Sequence, residues 1–268
     1  MNKEIVGYLG PAGTYSEIAA EKLCSEMKKV AYPSFFTLFA ALEKGDVASI
    51  VIPIENTLNG AVTQNLDLMQ ETENVYACSA CAVKIDHRLI TLAGADKSEI
   101  NRIYSHAQAL GQCAKFLAKN FPNAKLCETP STADCLNKID GAQAAGIVGA
   151  HCKAEGFNLS DANISDVENN YTQFLLVKRG VPDANLKSDR IFFSVTCRHR
   201  AGALVDLLSI LKDSGINMTE IESRPIKGRT GEFSFFIEIE GNYMQADIKA
   251  ALQKIKEAAL SFKLLGCY

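Results

Sequence analysis

The chain has 268 residues, of which 47% are hydrophobic, and this suits one large domain or two smaller ones with a sizeable core. The formal net charge is −3 and no long basic run occurs, so we expect no nucleic-acid partner. No apolar run approaches the roughly 18 residues of a membrane span, and the first ten residues do not read as a signal peptide. Nine scattered cysteines without such a signal are typical of a reduced, cytoplasmic protein.

The stretch "GYLGPAGTYSEIAA", residues 7–20, is typical of a strand end, a glycine turn and a helix start. Free backbone N–H groups at a helix start can hold an anion. The spacing of Gly7, Gly10 and Gly13 differs from the dinucleotide fingerprint, and no lysine follows as in a nucleotide phosphate loop. From the residues alone, the turn either binds another anion or only caps a helix.

Short apolar runs alternate with helix-like segments along the first 180 residues. The pattern predicts helices over 14–27, 36–45, 107–120 and from the Ser131/Thr132 cap to Ile139, with strands between them. Such alternation indicates a parallel sheet with helices on both faces, in which ligands bind beyond the carboxyl ends of the strands. Polar residues follow three of these strands, over 10–16, 55–60 and 105–108.

Two groups of potential metal ligands are incomplete. Cys78 and Cys81 form a C-x-x-C pair near His87, but no second ligand pair follows and the flanking residues are typical of strands. The stretch "GAHCKAEG", residues 149–156, is more typical of a short surface helix. We therefore expect no metal site and no cofactor.

A polar stretch over 178–190, with Gly180 and Pro182, is typical of a linker. The pattern beyond it predicts the order β-α-β-β-α-β of a ferredoxin-like domain of about 80 residues. Helices would cover one face of its sheet. A second copy of the domain is the simplest cover for the other face.

Five motifs then stand in a specific order along the chain: "GYLGPAGTYSE", "PIENTLNGAV" (53–62), "NNYTQFLLV" (169–177), "RAGAL" (200–204) and "ESRP" (222–225). Together they closely resemble the prephenate dehydratase family with its C-terminal ACT regulatory domain. The resemblance covers nearly the whole chain. It implies a two-lobed, periplasmic-binding-protein-like α/β catalytic domain over 1–180 with a cleft between the lobes, and a βαββαβ ACT domain over 190–268.

The resemblance also implies the reaction, a carbon–oxygen lyase step of phenylalanine biosynthesis. Prephenate loses its ring carboxylate as carbon dioxide and its ring hydroxyl as water, and phenylpyruvate forms. Because the ring becomes aromatic, no metal or organic cofactor is needed. The enzyme has to hold two carboxylates and donate a hydrogen bond to the departing hydroxyl.

Thr172 maps to the essential threonine of the family, and we expect it to donate to the leaving hydroxyl. The usual motif there is Thr-Arg-Phe, and Gln173 replaces the arginine, so its role is open. Likewise Ala107 replaces a proline, and His106 is either a proton donor or a helix-start histidine. The predicted substrate-binding set is Gly10, Pro11, Gly13, Thr14, Ser16, Glu55, Asn56, Thr57, Gly60, His106, Gln108, Gln173 and Phe174.

The ACT motifs imply a phenylalanine effector site between paired ACT domains. Its predicted residues are Gly202, Ala203, Leu204, Glu222, Ser223, Arg224 and Pro225. We expect self-association, as a homodimer or homotetramer, through both domains. Two alternatives stay open: arogenate as the substrate, and a non-catalytic amino-acid-sensing protein of the same fold.

Overall fold

The computed structural model describes residues 4–152, 154–182, 188–226, 228–229 and 231–268. Its α-helices are α1 (Tyr15–Leu23), α2 (Phe35–Lys44), α3 (Thr63–Glu71), α4 (Ala107–Gln112), α5 (Ala114–Asn120), α6 (Ala203–Asp213) and α7 (Ala246–Ala258). Its strands are β1 (Ile5–Leu9), β2 (Lys28–Tyr32), β3 (Ser49–Asn56), β4 (Gly60–Ala61), β5 (Val75–Lys84), β6 (His87–Leu92), β7 (Arg102–Ser105), β8 (Lys125–Glu128), β9 (Ala144–Gly149), β10 (Phe157–Leu159), β11 (Tyr171–Arg179), β12 (Arg190–Thr196), β13 (Met218–Pro225), β14 (Phe233–Glu240) and β15 (Ser261–Cys267).

Two sheets organise the molecule. The first has the strand order β13-β14-β12-β15-β5-β11-β3-β1-β2, and the second has the order β10-β6-β9-β7-β8. The chain leaves the first lobe (4–85 and 170–182) after β5, builds the second lobe (86–169), and returns along β11. Because β11 returns in the opposite direction, it pairs antiparallel with both β3 and β5. The two-lobed α/β fold is confirmed, but its sheets are mixed rather than purely parallel.

Several predicted helices differ in length or type. α1 ends at Leu23 rather than continuing to Met27, and a 3₁₀ helix, Ala133–Lys138, replaces the predicted α-helix before Ile139. The predicted helix over 107–120 is broken at the buried Cys113. The carboxylate of Asp166, distant in sequence, accepts from the backbone N–H groups at the start of α5 and so caps a separate helix. In the described part of 149–156 the chain forms turns, not the expected surface helix.

The C-terminal domain has the expected order β12-α6-β13-β14-α7-β15. One face of its sheet packs on α6 and α7 around Phe193 and Ile237. The opposite face packs against the first lobe of the same chain. Phe192, Phe236 and Leu265 on this face belong to the same apolar cluster as α2, α3 and the first-lobe strands. The expectation that a second copy covers this face is therefore wrong, because the first lobe buries it.

The junction between the first lobe and the C-terminal domain also has backbone and polar contacts. β15 pairs with β5 through Gly266 and Ala77, and a Cβ at position 266 would lie 2.6 Å from the Ala77 Cβ, so only glycine fits. The Lys263 ammonium donates to three carbonyl oxygens, those of Met69, Gln70 and Thr72, at 2.7–2.9 Å. A cation at the C-terminal end of α3 also complements the helix dipole.

Candidate active site

A small cavity of about 120 Å³ lies between the two lobes. The first lobe contributes α1, β3 and β11, and the second lobe contributes β6 and α4. The carboxyl end of β3 and the starts of α1 and α4 meet here with the first residues of β6 and β11. The lining residues are Tyr15, Asn56, Ile85, His87, His106, Gln108, Ala109, Gln112, Thr132 and Thr172.

Asn56 fixes the orientation of the Thr172 hydroxyl. The Asn56 Oδ1 accepts from the backbone N–H groups of Leu58 and Asn59, each at 3.1 Å, so the amide can face only one way. Its Nδ2 therefore donates to the Thr172 Oγ1 at 3.0 Å and to the Asn170 Oδ1 at 2.8 Å. Because the Thr172 oxygen accepts this bond, its own proton is free to donate into the cavity.

The same chain of amides continues into the second lobe. The Asn170 Nδ2 donates to the Gln112 Oε1 at 3.1 Å, and the Gln112 Nε2 donates to the Asn59 Oδ1 at 2.9 Å. The Gln112 Oε1 also contacts the His87 Nε2 at 2.9 Å. Thus Gln112, on α4, connects the loop after β3, the start of β11 and β6 through one side chain.

Tyr15 makes a second contact between the lobes. Its hydroxyl donates to the carbonyl oxygen of Asp86 at 2.7 Å and accepts from the Asp86 N–H at 3.0 Å. Burial raises the pKa of Tyr15 above its usual value of 10, so the phenol stays neutral. Its ring meets the His87 and His151 rings edge to face, at centroid distances of 6.2 and 5.1 Å.

The glycine turn at 10–16 lies at the start of α1 and contributes Tyr15 to the cavity lining, but none of its glycines. The Glu17 carboxylate accepts from the Gly13 N–H at 2.6 Å and from the Tyr8 hydroxyl at 2.9 Å. Thr14 donates its hydroxyl to the Leu9 carbonyl oxygen. The chain's own Glu17 thus accepts the Gly13 N–H, one of the donors of the predicted anion position.

The predicted substrate-binding set divides into two groups. Asn56, His106 and Gln108 line the cavity with Thr172, and the His106 Nδ1 accepts from the Gln108 N–H at 3.3 Å as a helix cap. The remaining members lie outside the lining: Gly10, Pro11, Gly13, Thr14, Ser16, Glu55, Thr57, Gly60, Gln173 and Phe174. Tyr15, Ile85, His87, Gln112 and Thr132 line the cavity although sequence reasoning did not select them.

Gln173 and Glu55 lie on the side of the sheet opposite Thr172. Side chains alternate along β11, so Gln173 shares a face with Leu175, and Glu55 is its register partner on β3. That face is turned to the C-terminal domain. Burial raises the pKa of Glu220 on β13 from 4.5 to about 7, and repulsion from Glu55 adds to the shift.

The predicted effector residues also lie in two places. Ala203 and Leu204 line a pocket of about 150 Å³ with Phe233 and Phe235. Arg224 and Pro225 instead line a groove of about 510 Å³ against α3. There the Arg224 guanidinium donates to both carboxylate oxygens of Asp67, at 3.0 and 3.1 Å. Neither pocket is lined by residues of both motifs, although Ser223 on β13 is the register partner of Phe235, which lines the first pocket.

Cys78 and Cys81 lie in β5, as the flanking residues predicted, and pack in an apolar cluster with α1. Burial raises the pKa of both thiols, which favours the neutral, unreactive form. His87, the third expected neighbour, lies instead in the cavity. Among the described residues, no group of three potential ligand side chains could hold a metal ion, and no helix could span a membrane.

The fold is a two-lobed α/β unit with a cavity between its lobes and a ferredoxin-like domain attached to the first lobe. The chain belongs to the prephenate dehydratase family: a model described as prephenate dehydratase matches residues 6–181, and a model of the ACT domain matches residues 191–257. This membership makes the chain an enzyme of the prephenate dehydratase class with an ACT domain.

Individual proteins agree with this placement. A bifunctional chorismate mutase/prephenate dehydratase of Neisseria gonorrhoeae is 34% identical over 98% of this chain and 74% of its own length. A prephenate dehydratase structure from Arthrobacter aurescens, in complex with L-Phe, has a TM-score of 0.89 and 26% identity, covering 98% of this chain and 89% of its own. A quorum-quenching acylase has a TM-score of 0.87 at 20% identity, covering 98% of this chain and 97% of its own, and shows the shared fold alone.

Proposed function

We propose that this chain converts prephenate into phenylpyruvate, carbon dioxide and water, with Thr172 as the catalytic residue. The observation that carries the proposal is the orientation of Thr172. Its oxygen accepts from Asn56 and the residue lines the cavity, so its proton is available to a group bound there. A positioned donor at the departing hydroxyl is what this elimination requires.

The cavity residues have different tasks in this mechanism. Asn56 holds Thr172 and does not itself have to contact the substrate. His106, Gln108 and Thr132 add polar residues of the second lobe to the cavity lining. The cavity of about 120 Å³ is small for prephenate, and we propose that the lobes separate to admit the substrate and then close on it.

We also propose that L-phenylalanine is the effector, supported by the L-Phe complex of the Arthrobacter aurescens relative. In one chain no pocket is lined by residues of both effector motifs, and β13, which carries Glu222–Pro225, is a terminal strand of its sheet. A second copy can pair with such an edge. We therefore propose a homodimer, or a tetramer of two such dimers, that completes the effector site.

Arogenate is the second candidate substrate, since its side chain differs from that of prephenate only by carrying an amine. The test is to incubate the purified full chain with each compound and follow the product, phenylpyruvate from prephenate or phenylalanine from arogenate. We expect a higher kcat/KM with prephenate. A higher value with arogenate would make arogenate the substrate. If neither compound is turned over, the remaining hypothesis is a non-catalytic amino-acid-sensing protein.

A further inference from the structure

The His87 imidazole is the most enclosed titratable group of the cavity. It is 3% exposed, and its Nδ1 has no hydrogen-bond partner among the described residues. The other histidine of the cavity, His106, already uses its Nδ1 to cap α4. A buried polar atom without a partner costs free energy, so a ligand that supplies the partner is favoured.

The amide chain determines which nitrogen of His87 carries the proton. Backbone N–H groups fix the Asn56 amide, Asn56 fixes Asn170, and Asn170 donates to the Gln112 Oε1. The Gln112 oxygen is therefore an acceptor, and the His87 Nε2, at 2.9 Å, has to be the donor. In the neutral ring the proton is on Nε2, and Nδ1 is left as the one atom that can gain or lose a proton.

The proposed reaction takes up one proton. Prephenate enters with two negative charges, and the products are the phenylpyruvate monoanion, neutral carbon dioxide and neutral water. The electron pair of the broken carbon–carboxylate bond enters the ring, and the pair of the broken carbon–oxygen bond leaves with the hydroxyl. That hydroxyl becomes water only if an acid supplies a proton, and threonine, a very weak acid, cannot be its net source.

We propose that His87 is the general acid of this reaction, which rests on the function proposed above. The two substrate carboxylates draw a proton to the His87 Nδ1 when they enter the cavity. Thr172 holds the hydroxyl by a hydrogen bond from the opposite lobe, and His87 passes its Nδ1 proton to that oxygen as the carbon–oxygen bond breaks. The ring returns to its neutral Nε2–H form.

The charges around His87 fit a group that is neutral in the free protein and protonated with substrate. Burial lowers its pKa below the usual 6.5, and the contacts with Gln112 and Asp86 only partly oppose this. The Asp86 carboxylate is already paired with Arg88 at 2.6 Å, and the Tyr15 phenol from α1 is uncharged. No free carboxylate among the described residues lines the cavity, so the substrate supplies the missing negative charge.

The first experiment compares kcat and its pH profile in wild type, His87→Gln and His151→Gln. Glutamine keeps a donor near the position of Nε2, so the contact with Gln112 survives while the acid is lost. We expect His87→Gln to lower kcat by about 10²–10³ and to remove the alkaline limb of the profile. His151 lies behind Tyr15 with its Nε2 bound to the Gly13 carbonyl oxygen, and His151→Gln should stay within about threefold of wild type.

The second experiment uses unmodified protein labelled with ¹⁵N-histidine, so it does not depend on a variant that folds. In the free protein the His87 signals should report the neutral Nε2–H form. Saturation with the tetrahydro analogue of prephenate, whose ring cannot aromatise, should produce the doubly protonated ring. A ring that stays neutral, or a His87→Gln enzyme with the wild-type rate and profile, would overturn the inference. Wild-type protein that forms no phenylpyruvate would instead refute the proposed function.

Discussion

The first lobe has two boundaries, and they are built differently. Against the C-terminal ACT domain it shares one apolar cluster that includes Phe192, Phe236 and Leu265. Against the second lobe it shares none: among the described residues, the clusters of the second lobe contain only members between 89 and 164. The contacts there are hydrogen bonds and edge-to-face ring contacts. Tyr15 makes both kinds, and Gln112 makes hydrogen bonds.

This difference indicates at which boundary of the first lobe the molecule can change conformation. Separating the first lobe from the ACT domain would expose a packed core, whereas separating the lobes exchanges polar contacts for water at low cost. We therefore expect the lobes to move relative to each other at the cleft, and the ACT domain to move with the first lobe. A signal from the effector has to pass through that lobe, and a ligand shifts activity only by binding two conformations unequally.

The largest expected effect lies at the cleft. Thr172→Ala should lower kcat by about 10²–10³ because the leaving hydroxyl loses its donor. Thr172→Ser keeps the hydroxyl and should retain most activity, and neither variant should change the melting temperature much. Steady-state kinetics and thermal unfolding measure both. An alanine variant within about threefold of wild type would remove Thr172 from the mechanism.

The shared core predicts a loss of stability that reaches across the domain boundary. Leu265 is fully buried between the first lobe and the ACT domain, whereas Leu252 packs only inside the ACT domain. Each change to alanine should cost about 2–5 kcal/mol. Hydrogen exchange should show that only Leu265→Ala speeds exchange in α3. Equal effects of both variants on α3 would contradict the boundary described here.

The raised pKa of Glu220 predicts how the free energy of unfolding depends on pH. Its carboxyl titrates near 4.5 when unfolded and at about 7 when folded, so unfolding releases a proton between these values. The contribution of Glu220 to stability is present below about pH 4.5 and falls as the pH rises through 7.

Glu220→Gln should therefore be more stable than wild type at pH 8 and closer to it at pH 5. Urea unfolding at both values measures this, with the exposed Glu257→Gln as the control. If the difference in unfolding free energy between wild type and Glu220→Gln did not depend on pH, ionisation of Glu220 would not destabilise the folded protein.

Gln173→Arg should have the smallest effect on turnover. Gln173 belongs to the predicted substrate-binding set, but position 173 faces the ACT domain, next to Glu55 and away from the cavity. An arginine there should reduce the repulsion between Glu55 and Glu220, raise the melting temperature and leave KM nearly unchanged. A marked fall in KM with no change in stability would place position 173 at the substrate.

The sequence predicted the secondary-structure elements and their order better than the side of the sheet on which each residue lies. Alternating patterns and the order of motifs predicted the lobes, the βαββαβ domain and the placement of Asn56 and Thr172. Sequence could not show that Glu55 and Gln173 point away from the cleft, because a β-bulge on β3 and the docking of the ACT domain decide that. It also associated His87 with two cysteines nearby in sequence, whereas the strand turns His87 toward Gln112, 25 residues later.

The most direct test of the account is the rate of phenylpyruvate formation from prephenate by the intact chain as L-phenylalanine is added. We expect turnover without the effector and a progressive fall as its concentration rises, because the effector would bind more tightly to the less active of two conformations. Absence of phenylpyruvate at every effector concentration, in protein shown to be folded, would contradict it.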